Sequence, residues 1–358
     1  MDIKPLNIGE LVARIPIIQG GMGIGISASK LAGAVAKEGG IGVISTAQIG
    51  FKEEDFETNT REANLRALRN HIKKAKEIAV DGIIGVNIMV ALNNYVDHVK
   101  TAIESGVDLI ISGAGMPTLL PKIVKEYEDC KVKLAPIVSS GKAAKIIMKV
   151  WDRHDGITPD LIIVEGPKAG GHLGFKKEEI EESEENFDSI VKDVIKEKEI
   201  YETKYNKRIP VIVAGGVFDG SDIVKYLNLG ADGVQMGTRF VATHECDASL
   251  EYKNAYINSK KEDIGIVKSP VGMPGRAILN DFMKKTFEEN IKVSRCYNCL
   301  TPCNPKETPY CISDALINAA NGNLNEGLIF CGSNAYRVDK IVSVKELIDE
   351  LLQEIKEK

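Results

Sequence analysis

Eight short apolar runs, separated by longer amphipathic stretches, are the feature that most restricts the fold of this chain. The runs lie at residues 15–19, 42–45, 83–87, 109–112, 134–138, 161–165, 211–214 and 233–236. Runs without polar alternation are typical of parallel strands that are buried on both faces. The stretches between them, such as residues 95–104 and 142–151, have the length and periodicity of crossover helices. Eight such units predict an α/β protein with a (β/α)8 TIM barrel, and the strand count places a doubly wound open sheet second.

The domain organisation follows from where the alternation stops. With 358 residues, 44% of them hydrophobic, the chain can bury a large core. We expect the barrel to occupy residues 1–244, and a helical, cysteine-containing accessory segment at residues 245–358 to close over one end of it. The intervals 51–81 and 176–208 exceed a plain crossover, and we interpret both as helical insertions on the rim. The second could cover a site at the barrel mouth, although an ordinary solvated helix fits its Glu- and Lys-rich composition better.

The charge pattern favours a small-molecule substrate. The formal net charge is −5 at pH 7 and no block of five or more Lys or Arg residues occurs, so neither nucleic acid nor a membrane surface is an expected partner. The chain starts without the pattern of a signal peptide, and no run approaches the roughly 18 apolar residues that span a bilayer. Seven cysteines, four of them crowded together, do not resemble a disulfide framework. We expect a reduced, cytoplasmic protein; its oligomeric state stays open, with a homodimer among the alternatives.

One histidine lies in a glycine-rich turn directly after the sixth run. The stretch 165–175 reads Glu-Gly-Pro-Lys-Ala-Gly-Gly-His-Leu-Gly-Phe and places His172 where catalytic loops follow barrel strands. Glycine turns also follow the seventh run, at residues 214–216, and the eighth, at residues 235–238. In a barrel these two loops bind phosphate groups through backbone amides. The combination predicts a phosphorylated cofactor or substrate, although each turn alone is compatible with an ordinary tight turn.

The loops after the first and third runs carry a different signal. Gly21 and Gly23 could lie along a flat aromatic ring, with Met22 as a soft contact. The carboxamide of Asn87 suits a heterocycle that carries carbonyl and imino groups, whereas a side chain that ties down its own loop is the alternative. Glu165 has the same two interpretations, and ribityl hydroxyls would suit its carboxylate.

Together these motifs resemble the nitronate monooxygenase family, formerly called 2-nitropropane dioxygenases. The segment Ala169-Gly170-Gly171-His172-Leu173-Gly174 after Glu165-Gly166, and the turns at 20–23, 214–216 and 235–238, look like the motifs of that family. Its members are FMN-dependent TIM barrels related to the FMN-containing enoyl-acyl carrier protein reductases. The resemblance covers roughly residues 15–239 and implies FMN as cofactor and His172 as catalytic residue. The predicted cofactor contacts are Gly21, Met22, Gly23, Asn87, Glu165, Gly170, Gly171, Gly215, Gly216, Gln235, Met236, Gly237 and Thr238.

Three functions remain open at this point. The first choice is a nitronate monooxygenase that oxidises alkyl nitronates with O2 to carbonyl compounds and nitrite, with His172 as base or orienting group. The second is an NAD(P)H-dependent enoyl-acyl carrier protein or quinone reductase that uses FMN. Glu165 is familiar in the reductase branch, whereas many nitronate monooxygenases have Gln at that position. The third is a phosphate-binding TIM barrel without a redox role, since fold alone does not fix chemistry.

Four cysteines stand close together late in the chain. Cys296, Cys299, Cys303 and Cys311 have a spacing that could hold zinc or an iron–sulfur cluster, and they somewhat resemble the cluster motif of dienoyl-CoA reductase flavoenzymes. No histidine and no second Cys-x2-Cys pair supports a zinc ribbon, and unpaired cysteines are common buried residues, so we predict no metal site. The apolar-then-polar tail at residues 327–337 is expected to pack near the barrel mouth.

Overall fold

The computed structural model of the protein describes residues 3–358 and places a closed barrel at its centre. The strands in chain order are β1 (Leu6–Ile8), β2 (Leu11–Ala13), β3 (Ile17–Gln19), β4 (Ile41–Ser45), β5 (Ile83–Met89), β6 (Leu109–Gly113), β7 (Lys133–Val138), β8 (Ile162–Glu165), β9 (Gly171–His172), β10 (Val211–Ala214), β11 (Gly233–Met236), β12 (Ile264–Lys268) and β13 (Pro274–Ile278). Within the described residues, eight of these strands close the barrel in the order β3, β4, β5, β6, β7, β8, β10 and β11.

Each apolar run of the sequence forms one barrel strand, and the predicted (β/α)8 TIM barrel is confirmed. All barrel pairings are parallel, and β11 returns to β3 to close the sheet. The register sets Ser45 beside Asn87 and Glu165 beside Ala214. Polar residues that end separate strands therefore meet at one end of the barrel.

Some of the helices form a ring around the barrel, and α10, α11 and α12 belong to the segment that covers one end of it. The helices are α1 (Ser29–Lys37), α2 (Thr60–Ala79), α3 (Tyr95–Glu104), α4 (Leu120–Val124), α5 (Gly141–Asp155), α6 (Ile180–Glu185), α7 (Phe187–Tyr205), α8 (Gly220–Leu229), α9 (Thr238–Val241), α10 (Leu250–Ile257), α11 (Asp281–Glu288), α12 (Ile312–Ala320) and α13 (Val344–Lys356). The intervals 51–81 and 176–208 contain α2, which joins β4 to β5, and α6 with α7, which join β8 to β10. Both intervals thus contribute crossover helices to the ring. Each also contains residues that lie outside those helices.

The last helix belongs to the ring and not to residues 245–343, which form the covering segment over one end of the barrel. α13 packs against α8 and α1, and its buried face carries apolar residues at helical spacing, with Leu347 and Leu351 fully buried. The backbone N–H of Gly220 at the start of α8 donates to Glu354 Oε2 over 2.6 Å. Residues 245–343 therefore intervene between the eighth strand and its helix, which explains why the alternation of strands and helices stops after residue 242.

The two ends of the barrel are covered by different parts of the chain. The antiparallel β1–β2 hairpin buries Leu6 and Ile8 against the inward-facing residues of the strands, among them Ile18. At the other end, β12 pairs with β13 and β13 pairs with β9, so the covering segment is joined by backbone hydrogen bonds to the loop after β8. Among residues 3–358, no helix is both long and apolar enough to cross a membrane.

Candidate functional site

A cavity of about 350 Å³ lies at the carboxyl ends of the barrel strands, between the strand loops and the covering segment. Every residue that the sequence predicted as catalytic or cofactor-binding lines this cavity. These residues are Gly21, Met22, Gly23, Asn87, Glu165, Gly170, Gly171, His172, Gly215, Gly216, Gln235, Met236, Gly237 and Thr238. They converge because parallel barrel strands all end at the same face.

His172 is held in the cavity wall by the covering segment. Its backbone belongs to β9 and pairs with Gly275 of β13. The ring nitrogen Nε2 lies 2.6 Å from Ser269 Oγ, and the ring packs edge-on against Phe330 with the centroids 5.1 Å apart. Burial lowers the pKa of the His172 imidazole to about 4. The imidazole is therefore neutral near pH 7, and one of its nitrogens carries a proton.

The glycine-rich loop around His172 is fixed by a buried arginine. Arg276 is only 7% exposed. Its Nη1 donates to the carbonyl of Pro167 and, over 3.0 Å, to the carbonyl of Ala169. Its Nη2 donates to Glu184 Oε1 of α6 over 3.2 Å. The guanidinium thus satisfies two loop carbonyls that would otherwise be unpaired, which rigidifies the wall that carries His172.

Glu165 stands at the end of β8, where its side chain is partly open to the cavity. Protein atoms surround the carboxyl group, so water solvates it poorly. This burial raises the pKa of Glu165 to about 7. The carboxyl group is consequently close to half protonated near neutral pH and can both donate and accept a hydrogen bond.

The turn after β10 consists of two glycines in the left-handed conformation at the cavity. Gly215 and Gly216 have φ angles of +90° and +92°, which strongly favour glycine. A Cβ added to Gly216 would lie 2.9 Å from Lys168 Cβ, and Asn334 Nδ2 donates to the Gly216 carbonyl over 2.8 Å. With its carbonyl bound in this way and its amides close to the cavity, the turn matches the phosphate-binding loops of barrel proteins.

Two buried polar atoms at the cavity have no partner within residues 3–358. They are Gln235 Oε1 at the end of β11 and Ser333 Oγ in the covering segment. Both residues line the cavity. Because unpaired buried polar atoms are rare, a ligand in the cavity is the natural source of the missing hydrogen bonds.

Comparison with known proteins places this architecture in a family. The family model described as nitronate monooxygenase matches residues 5–354.

The chain belongs to the nitronate monooxygenase family.

This family consists of oxidoreductases, so the prediction of an oxidoreductase is confirmed, and its members are flavin-dependent.

The similarity to individual family members is distant but extends over most of the chain. A protein of Staphylococcus saprophyticus described as a probable nitronate monooxygenase is 26% identical over 335 residues, which cover 86% of this chain and 88% of that protein. Among solved structures, FabK from Thermotoga maritima is 29% identical, with a TM-score of 0.72 and coverage of 96% of this chain and 93% of that one. Nitroalkane oxidase from Streptomyces ansochromogenes shares the fold with a TM-score of 0.73 at 19% identity, covering 96% of each chain.

The residues at the cavity fit the phosphorylated flavin that the family implies. The Gly215–Gly216 turn suits the phosphate, whereas Gln235 Oε1 requires a hydrogen-bond donor such as a flavin ring N–H. Met22 and Asn87 add one soft and one polar side chain to the cavity lining. An oxygen-rich, partly aromatic ligand satisfies these requirements together.

Several lining residues were not identified from the sequence. Some lie just after a barrel strand, and this position alone could have predicted them as site residues. They are Ala47 and Gln48 after β4, Ala114 and Gly115 after β6, and Ser139 after β7. Others come from the covering segment, namely Tyr252, Tyr256, Met273, Leu300, Leu316 and residues 330–334. The tail thus lies at the barrel mouth, as expected. The contact between Ser269 and His172 had no sequence signal, because it depends on tertiary structure alone.

The cysteine cluster lies in an irregular segment between α11 and α12. Cys299 lines the cavity, whereas Cys296 is exposed to solvent. Burial raises the pKa of the Cys299 thiol and raises that of the Cys311 thiol to about 12. Within residues 3–358, no three Cys, His, Asp or Glu side chains are grouped so that they could hold a metal ion.

Proposed function

We propose that the protein is an FMN-dependent nitronate monooxygenase that oxidises alkyl nitronates with O2 to carbonyl compounds and nitrite. The observation that carries the proposal is the position of His172 in the wall of a cavity that the glycine turns after β10 and β11 also line. Membership of the nitronate monooxygenase family supports the same conclusion.

The chain offers separate groups for each part of the cofactor. The turn at Gly215 and Gly216, with Gly237 and Thr238 after β11, would hold the phosphate through backbone amides. Glu165 would bind ribityl hydroxyls, and Asn87 and Gln235 would bind the polar edge of the ring. When bound, FMN supplies the electron-transfer chemistry between substrate and oxygen.

His172 would act on the reacting end of the substrate. A nitronate is an anion, and a neutral imidazole can donate a hydrogen bond to its oxygens through the ring N–H. A neutral nitroalkane would instead require the imidazole to accept an α-proton. The low pKa of His172 disfavours the protonated ring that the second process would leave behind. The anionic nitronate is therefore the better substrate for this site.

The cavity lining includes a set of apolar side chains that would suit the alkyl chain of the substrate. These side chains come from the strand loops and from the covering segment. The residues are Ile24, Ile26, Met89, Leu92, Leu300, Ile312 and Leu316. Apolar walls favour a hydrocarbon tail and exclude the water that would otherwise solvate the nitronate.

Steady-state turnover of an alkyl nitronate tests the proposal. The purified protein should show a visible flavin band, consume O2 and release nitrite. Replacement of His172→Ala should lower turnover by about 100-fold or more while the flavin stays bound, since positioned proton donors and acceptors contribute rate factors of that order. His154→Ala, which changes a solvent-exposed histidine of α5, is the matched control and should be fully active. A colourless protein, or an active His172→Ala variant, would refute the assignment.

The second candidate is an NAD(P)H-dependent enoyl-acyl carrier protein or quinone reductase. The similarity to FabK from Thermotoga maritima, at 29% identity, and the carboxyl group of Glu165 favour it. In that case the flavin would be reduced by NADH or NADPH, and nitronates would not be consumed.

A further inference from the structure

We propose that Ser269 is a positioning residue that holds His172 in the tautomer with its proton on Nδ1, so that the ring presents an N–H donor to the cavity. The tautomer is inferred from the hydrogen bonds of the two side chains alone. Its consequence for catalysis, a preference for the anionic nitronate over the neutral nitroalkane, rests on the function proposed above.

The serine is fixed independently of the histidine. Ser269 directly follows β12 and is 2% exposed. The Gly272 N–H donates to the Ser269 carbonyl over 3.0 Å, and the Tyr310 hydroxyl donates to the preceding carbonyl of Lys268 over 3.2 Å. On the other side, the N–H of Leu173 donates to the carbonyl of Pro274 over 2.8 Å. Both side chains are therefore held on rigid backbone, which favours one well-defined contact between them.

The direction of the Ser269–His172 hydrogen bond follows from counting protons. A serine hydroxyl has one proton to donate and two lone pairs that accept. The Val271 N–H points at Ser269 Oγ over a long 3.4 Å and occupies one lone pair. Within residues 3–358, His172 Nε2 at 2.6 Å is the one acceptor available to the Ser269 hydroxyl proton. Because an unmade buried donor is costly, the serine donates and Nε2 accepts.

The remaining ring nitrogen must then carry the proton of the neutral imidazole. In the described part of the chain, His172 Nδ1 makes no hydrogen bond. It does not belong to the fully buried polar atoms that lack a partner, so it is accessible from the cavity. The side chain lines the cavity, so a ligand can reach Nδ1. An N–H that points into the cavity suits the oxygens of an anionic nitronate and gives a neutral nitroalkane no base.

Nitrogen NMR of protein with 15N-labelled histidine reads the tautomer directly and needs no turnover. The His172 signals are assigned by their loss in His172→Asn. In the wild type, Nε2 should have the shift of an unprotonated ring nitrogen and Nδ1 that of a protonated one. Ser269→Thr keeps the hydroxyl and should keep this pattern, whereas Ser269→Ala should move the proton towards Nε2. Ser259→Ala removes another buried serine hydroxyl, which donates to the Tyr256 carbonyl over 2.8 Å, and should leave the His172 signals unchanged.

Kinetics with the same variants tests the consequence. Ser269→Ala should raise KM for an alkyl nitronate by about tenfold with a smaller change in kcat, the size expected for one weakened hydrogen bond. His172→Asn places an amide near the position of Nδ1 and should keep more activity than His172→Ala. A proton on Nε2 in the wild type, or an unchanged tautomer in Ser269→Ala, would overturn the role of Ser269. If the NMR result holds but nitronates are not oxidised, the proposed function fails and the positioning role stands.

Discussion

The backbone of His172 pairs in antiparallel register with Gly275, so a strand of the covering segment holds the histidine of a barrel loop. The next residue, Arg276, pairs with Gly171. Its guanidinium donates hydrogen bonds to the carbonyls of Pro167 and Ala169 in the same loop. The loops that follow the barrel strands line the site, but pairing with the covering segment sets the position of His172.

Replacement of Arg276→Lys should therefore loosen the loop without changing the side-chain charge. A lysine cannot reproduce the planar fork that serves two carbonyls and Glu184 together. We expect flavin affinity to fall by about tenfold, the effect of losing roughly one hydrogen bond, as measured by titration of the apoprotein with FMN. Arg295→Lys alters a surface ion pair with Glu57 and should leave affinity unchanged. Equal affinity in both variants would contradict the role of Arg276.

Replacement of Gly216→Ala should impair binding of the phosphate group. The new Cβ would meet Lys168 at 2.9 Å and would force an alanine into a φ of +92°. Strain of about 1–3 kcal/mol at such a position shifts the turn, and flavin affinity should fall by at least about tenfold. Gly106→Ala is the matched control, because Gly106 has a φ of +74° with nothing within 4 Å of the added Cβ. Both variants should lose thermal stability, but only Gly216→Ala should lose flavin.

Replacement of Leu316→Trp should reduce the space for an alkyl chain beside the apolar side chains that line the cavity. We expect KM for a long-chain nitronate to rise by about tenfold, since a few methylene groups lose their burial at about 0.8 kcal/mol each. KM for the smallest nitronate should change little. Leu250→Trp adds the same bulk at a residue that is 58% exposed, and it should affect neither substrate. A uniform loss of activity with all chain lengths would argue against binding of the alkyl chain beside Leu316.

The raised pKa of Glu165 predicts a pH-dependent stability of the flavin-free protein. Folding favours the protonated carboxyl, so stability is fully present below the unfolded pKa and is lost as the pH rises from about 4.5 to about 7. The loss amounts to at most roughly 3.5 kcal/mol, at about 1.4 kcal/mol for each pKa unit. Urea unfolding of Glu165→Gln across this range should lack that loss. Glu178→Gln, at an exposed carboxylate, should follow the wild type. Parallel pH profiles for Glu165→Gln and wild type would contradict the burial of a titrating carboxyl.

Much of the barrel and its cavity could be predicted from local sequence. Strands buried on both faces are uniformly apolar, as in Val211–Ala214, and glycine turns mark the strand ends that approach a ligand. The place of α13 in the helix ring was not predictable, because residues 245–343 separate it from its strand and no local pattern encodes that return. The contact of Ser269 with His172 has the same character, since it joins two loops far apart in the sequence.

Anaerobic reduction of the purified flavoprotein tests the proposed function most directly. Addition of an alkyl nitronate in the absence of O2 should bleach the visible flavin band, whereas NADH and NADPH should leave it unchanged. Admission of O2 should then restore the band and release nitrite. Bleaching by NADH or NADPH but not by the nitronate would contradict a nitronate monooxygenase and establish the reductase instead.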